Sequence, residues 1–187
     1  MPINEPVPSE ERGFGSYLYP GNCLDLMAEL DDNMIDACIT DPPYGIHHLG
    51  NAWDVGLPPI EIWQEVYRVL APGAHLVAAA AAKRYHHLAT MLEQVGFEIR
   101  DMVIWHYSQS APGASQGIDG EWRSEAKRNH EPWVVARKPV EGSLGENWKK
   151  WGVGGVLVGE AGKPGWNTNV AKVQKPDKKE RNLGLTG

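Results

Sequence analysis

Between residues 35 and 107 the hydrophobic pattern switches period repeatedly, and the order of those switches limits the fold more than any other feature. Ile35-Asp36-Ala37-Cys38-Ile39-Thr40 is a short apolar run with the pattern of a buried strand. Pro59 to Leu70 places Ile62, Val66, Val69 and Leu70 on one side of a helix opened by Pro58-Pro59 and stopped by Ala71-Pro72-Gly73. His75 to Ala82 is small and apolar, as a central parallel strand is. A second helix runs from Tyr85 to Val95 and ends at Gly96, and Phe97 to Tyr107 is a third strand. Strand, helix, strand, helix, strand is the signature of a parallel α/β sheet. Ligands of such sheets bind beyond the carboxyl ends of the strands.

At the carboxyl end of the first strand stands Asp41-Pro42-Pro43-Tyr44-Gly45. The prolines fix φ and remove two backbone donors, which leaves the loop's carbonyls free to accept. One carboxylate and one flat ring on a stiff loop suit a flat, amino-bearing ring, stacked on Tyr44 and hydrogen-bonded to Asp41. Asp and Pro are also ordinary turn formers, so the tetrapeptide alone is ambiguous. Its surroundings add to it. Asp-Pro-Pro-Tyr after a strand resembles the catalytic motif of amino-directed DNA methyltransferases, which methylate the exocyclic nitrogen of adenine or cytosine. Gly21-Asn22-Cys23-Leu24-Asp25-Leu26, with Asp36 ahead of the loop, is similar to the segment leading into that motif in the circularly permuted (β-type) group. Four later segments resemble a phage and prophage branch: His48 to Asp54, Arg68 to Gly73, Gly96 to Asp101, and His130-Glu131-Pro132.

The resemblance implies a Rossmann-like methyltransferase sheet, mostly parallel with one antiparallel edge strand formed by Trp133 to Arg137. It implies catalytic roles for Asp41, Pro42, Pro43 and Tyr44, and S-adenosylmethionine as cofactor beside Asn22, Cys23, Asp41 and Pro42. It implies DNA as substrate and partner, with Tyr44, His47, Trp53, Lys83, Arg84, Lys127, Arg128 and His130 facing the base or the backbone. Lys83 and Arg84 read equally well as solvated charges opening a helix, and Trp53 as a plug at the core edge. Asp at the head of the motif favours adenine-N6 over cytosine-N4, and weighs against RNA or protein amides, where Asn-Pro-Pro-Tyr is usual. The family departs from this chain at Asn22, where relatives commonly carry Asp, and at Gln109 to Gly113, where they carry Gly-Phe-Pro-Lys-Ser. Nothing in residues 141–187 resembles the Phe-x-Gly-x-Gly turn that holds the methionine end of the cofactor. The expected sheet is therefore incomplete, and a second subunit or second copy could complete the cofactor site. A catalytically silent remnant that binds DNA or a partner is the rival reading.

The remaining segments divide the chain into a loose arm (1–16), a catalytic region (17–140) and a basic extension (141–187) that forms part of a target-recognition region. Ser16 to Tyr19 reads as a short edge strand, Cys23 to Leu30 as a helix with Leu24, Met27 and Leu30 on one face, and Gly45 to Pro59 as irregular. Ser108 to Gly120 is a Gly/Ser/Pro/Gln loop. Gly152 to Gly155 follows Trp148-Lys149-Lys150-Trp151 rather than a strand, which excludes a phosphate loop.

Composition narrows the setting. The net charge of −6 is unevenly spread: −11 over residues 1–120 and +5 over residues 121–187. A basic last third on an acidic body is compatible with phosphate contacts from that third, and equally with a solvated tail. Cys23 and Cys38, the two cysteines, stand in apolar surroundings and read as buried free thiols of a reducing compartment, the bacterial or phage-infected host cytosol. No apolar run approaches a membrane span, Met1 to Arg12 lacks a signal-peptide pattern, and His47-His48 has no partner cluster to make a metal site.

Overall fold

The computed structural model describes residues 7–8, 17–46, 50–107, 117–119, 122–123 and 129–156. The elements are β1 (Val7–Pro8), β2 (Tyr17–Leu18), α1 (Cys23–Ala28), β3 (Ile35–Thr40), α2 (Ile60–Val69), β4 (Leu70–Ala79), α3 (Tyr85–Val95), β5 (Glu98–His106), β6 (Gly117–Asp119), β7 (Trp122–Arg123), β8 (His130–Arg137) and α4 (Leu144–Trp151). Four strands form the main sheet in the order β3-β4-β8-β5, while β1 pairs with β2 and β6 with β7. β3 and β4 are parallel, and β8 is antiparallel to both β4 and β5. Three strands therefore share one direction and one opposes them.

The opposing strand is the one expected to oppose, but its place differs. The resemblance puts it on the edge, whereas it lies inside, between β4 and β5. The residue chemistry explains the choice. β8 buries Pro132, Val134 and Ala136 at alternate positions, as a strand flanked on both sides does. β5 opens with Glu98, Arg100 and Asp101, charges that suit an edge, although it continues into the exposed apolar run Met102 to Trp105. The sequence pattern starts β8 only at Trp133, because a proline inside a run argues against a central strand. Pro132 is tolerated near the strand's start, where its carbonyl accepts from Ala80 N at 3.0 Å.

The core lies on one face of the sheet, under α2 and α3. Trp63, Val66, Leu70, Leu76, Ala78, Leu88, Leu92, Val134 and Ala136 form it, with Tyr67 meeting Phe97 edge-on. Burying side chains such as Leu88 and Leu92 stabilises by about 1.5–3 kcal/mol each. On β4 the intervening His75 and Val77 are only half-buried, and burial together with Arg137 and Arg100 lowers the His75 pKa. α3 ends at Gly96 in the left-handed region, as the sequence predicts.

Two local expectations change. α1 ends at Ala28 rather than Leu30, where Arg68 of α2 reaches across to the carbonyls of Met27 and Leu30. β4 starts at Leu70, directly after α2, so Ala71-Pro72-Gly73 lies within a strand rather than in a turn. Gly73 makes this possible: its φ is +82°, and its N–H donates to Lys138 O. The pairing of β3 with β4 jumps there from Ile35↔Leu70 to Ala37↔His75.

α4 is an element the hydrophobic pattern did not reveal. Ser143 and Glu146 form a capping box at its start, and Gly152 caps its end. Its fully buried Asn147 accepts from Glu141 N and donates to the carbonyls of Pro72 and Val153. A polar side chain thus pins the helix to the start of β4. No described helix is long and apolar enough to cross a membrane.

Candidate target-base site

The carboxyl ends of β3, β4 and β5 and the amino end of β8 face the same way, and Asp41, Tyr44 and His130 stand at that end. β3 delivers Asp41 at the rim, with its side chain exposed. The chain then turns through Pro42 and Pro43 to a half-buried Tyr44 and a buried Gly45. Tyr44 is not a freely swinging ring. Its hydroxyl lies 2.5 Å from Asp41 Oδ1 and 3.0 Å from Oε1 of Glu131, near the start of β8. The other oxygen of Glu131 accepts from the Tyr107 hydroxyl at 2.5 Å, just past β5. Two carboxylates and two phenols thus form one line across the sheet's carboxyl end.

The electrostatics follow from that line. Burial, then the hydrogen bonds to Asp41 and Glu131, push the Tyr44 pKa far up. The bond to Glu131, followed by burial, pushes Tyr107 up to about 12. Both phenols stay protonated at neutral pH and act as donors.

Two further groups hold the loop. Asp54, 1% exposed in a short 3-10 turn, accepts from Gly45 N at 2.7 Å through Oδ1. Arg84, at the start of α3, donates to Gly45 O at 3.2 Å. Gly45 has φ +65°, and a Cβ there would meet the Gly56 carbonyl carbon at 2.8 Å. The backbone after the motif is therefore clamped on both its N–H and its carbonyl.

The other expected site residues are placed as follows. Trp53 is 62% exposed, so it does not plug the core edge. Lys83 is exposed beside Arg84. His130 is half-buried at the start of β8, with Nδ1 3.1 Å from Asn129 Oδ1. His47, Lys127 and Arg128 lie outside the described residues. Asn22 caps α1, its Oδ1 accepting from Leu24 N at 2.9 Å, and Cys23, expected to be buried, is exposed in the first turn of that helix. Cys38 in β3 has its pKa raised by burial and by Cys23. Sequence reasoning misses Tyr107, Glu131 and the anchoring role of Asp54. Glu131 lies within a segment noted for resemblance, but a charged residue beside a proline gives no sign of pointing toward Tyr44.

Along β3 runs a groove of about 270 Å3 lined by Met27, Leu30, Ile35, Cys38, Ile39 and Val66, among others. Among the described residues β3 has no second neighbour, and Ile39 is 75% exposed. This groove offers apolar surface to a flat ring. It has no carboxylate among its lining residues for a ribose diol and no donor set for an amino-acid end.

The chain matches the DNA methylase family of N6- and N4-methyltransferases over residues 35–184, and it belongs to that family. It is 24% identical over 135 residues to the type II methyltransferase M2.MboI of Moraxella bovis, covering 62% of this chain and 49% of that protein. With M.HpaI of Haemophilus parainfluenzae it shares 29% identity over 96 residues, 47% of this chain and 31% of that one. It thus spans about half or less of the length of these relatives. Among solved structures it is similar to TTHA0409 of Thermus thermophilus complexed with S-adenosyl-L-methionine, with 22% identity, a TM-score of 0.44, and coverage of 70% of this chain and 59% of that one.

Proposed function

We propose that the chain carries the target-base half of a DNA adenine-N6 methyltransferase of permuted order and of the phage and prophage branch. Family membership supports the reaction class. The observation that carries the reading is the exposed Asp41 carboxylate, set on a proline-stiffened loop with Tyr44 fastened beside it.

The amino nitrogen of adenine is a poor nucleophile because its lone pair is delocalised into the ring. Asp41 and the Pro42 carbonyl accept its two hydrogens and localise that pair on nitrogen. Tyr44 stacks on the base, which must leave the duplex to reach the loop. Holding the nitrogen in line supplies most of the rate, and Pro43 contributes by stiffening the loop. After transfer the amine is strongly acidic, and its proton leaves through the Asp41 carboxylate or water. His47, Trp53, Lys83, Arg84, Lys127, Arg128 and His130 are assigned to the base and the DNA backbone.

S-adenosylmethionine, when bound, supplies an electrophilic sulfonium methyl. Asn22, Cys23, Asp41, Pro42 and the β3 groove would form one wall of its site. The groove fits its ring and not its ribose or amino-acid end, so a second subunit or second copy would complete the site. The same partial fit favours the second reading, a binding module without activity of its own. Digestion of DNA treated with the protein and labelled S-adenosylmethionine separates the cases. N6-methyldeoxyadenosine is expected. N4-methyldeoxycytidine moves the target to cytosine. Saturable DNA binding without any methylated nucleoside favours the binding module.

A further inference from the structure

We propose that Glu131 is a positioning residue of the target-base site, drawing the Tyr44 hydroxyl off Asp41 when an amino group binds there. This rests on the reading of Asp41 as the amino-group acceptor. The argument begins with proton counting. A phenol has one hydrogen, yet the Tyr44 hydroxyl lies within reach of two carboxylate oxygens, Asp41 Oδ1 at 2.5 Å and Glu131 Oε1 at 3.0 Å. At any moment it donates to one of them. While it donates to Asp41, it competes with an incoming amino group for the same oxygen. Turning to Glu131 releases that oxygen without leaving the half-buried hydroxyl unpaired.

Glu131 is built to be the fixed partner. It stands on β8, the strand flanked on both sides, paired opposite Trp105 of β5. Its second oxygen is held by the Tyr107 hydroxyl at 2.5 Å, and Tyr107 N is tied to Asn129 O at 2.8 Å. Asp41 and Tyr44, by contrast, belong to an irregular loop. A charged acceptor makes a stronger bond than a neutral one, so Gln at 131 leaves the hydroxyl on Asp41.

The test compares oligo(dA) with a strand of the same length built from purine deoxyriboside, which lacks only the amino group. Affinities of the full chain and its variants are read by competition anisotropy, with circular dichroism checking the fold. Glu131→Gln is expected to weaken oligo(dA) binding roughly ten-fold, the worth of one charge-assisted hydrogen bond, and to leave the amino-free strand unaffected. Adding Tyr44→Phe, which removes the competing hydroxyl, is expected to restore part of that loss. Unchanged oligo(dA) affinity in Glu131→Gln overturns the inference, as does a double variant no tighter than Glu131→Gln alone. Neither outcome touches the reading of Asp41. That reading falls separately if wild type does not prefer the amino-bearing strand, or if Asp41→Ala keeps the preference.

Discussion

At the scale of single residues, the site is a set of competing hydrogen bonds rather than a lone carboxylate on a turn. Tyr107 gives this a measurable consequence. Its folded pKa of about 12 lies above the ordinary 10, chiefly because Glu131 accepts its proton. The folded state therefore holds the proton more tightly than the unfolded chain. The associated stability is fully present below pH 10 and is lost as pH rises through about 12. Spectrophotometric titration of tyrosinate should show a late-ionising component that disappears in Tyr107→Phe. Loss of only an ordinary component at about pH 10 in Tyr107→Phe would remove Tyr107 from the network. None of this is legible in the sequence, where Tyr107 closes a strand and Glu131 precedes a proline.

At the scale of elements, loops and caps decide how firmly the site is held. Gly45 occupies a left-handed conformation with its missing Cβ 2.8 Å from the backbone of Gly56. Gly45→Ala should cost about 1–3 kcal/mol of stability and displace the loop from Asp54 and Arg84. DNA binding should fall along with the melting temperature, and an unchanged variant would show that the loop is not clamped. Asn147 anchors α4 through three hydrogen bonds, two of them to backbone carbonyls. Asn147→Ala strands those groups and should destabilise by about 2–4 kcal/mol in urea unfolding. A loss under about 0.5 kcal/mol would mean that water replaces the amide.

Legibility also divides by element. α2, α3 and β5 are readable because their apolar positions recur at the helical or strand period and their ends carry Pro or Gly. α4 is hidden because its anchor is a buried amide and its signal is a cap rather than an apolar stripe. The motif at Asp41 to Tyr44 is visible through its resemblance to a family motif and the further segments around it, since Asp and Pro alone are ordinary turn formers. Of the groups that hold it, Glu131 is distant in sequence, and Asp54, though close, gives no sign of its role, since both act through geometry.

At the scale of the whole molecule, strand order is what pattern reading could not supply. Periodicity tells that Trp133 to Arg137 is a strand, and fold resemblance that it runs antiparallel. Its position inside the sheet depends on which neighbour is apolar enough to be flanked on both sides. That insertion brings Glu131 within reach of Tyr44, so topology itself assembles the site.

Charge is the second property of the whole. Residues 1–120 carry −11, so on the proposed reading DNA would be met by local cations such as Lys83 against an unfavourable background. If Lys83 neutralises one phosphate, Lys83→Ala should lower the salt slope of DNA binding by about 0.9. An unchanged slope across a potassium chloride series assigns Lys83 to solvent.

The central claim is that Asp41 receives the amino group that is methylated. Transfer of a labelled methyl group from S-adenosylmethionine to DNA, followed by nucleoside analysis, tests it most directly when wild type is compared with Asp41→Ala. The account predicts labelled N6-methyldeoxyadenosine from wild type and at least about a hundred-fold less from the variant, as loss of a charged hydrogen-bond acceptor implies. Undiminished transfer by Asp41→Ala, or no labelled nucleoside from wild type, would contradict it.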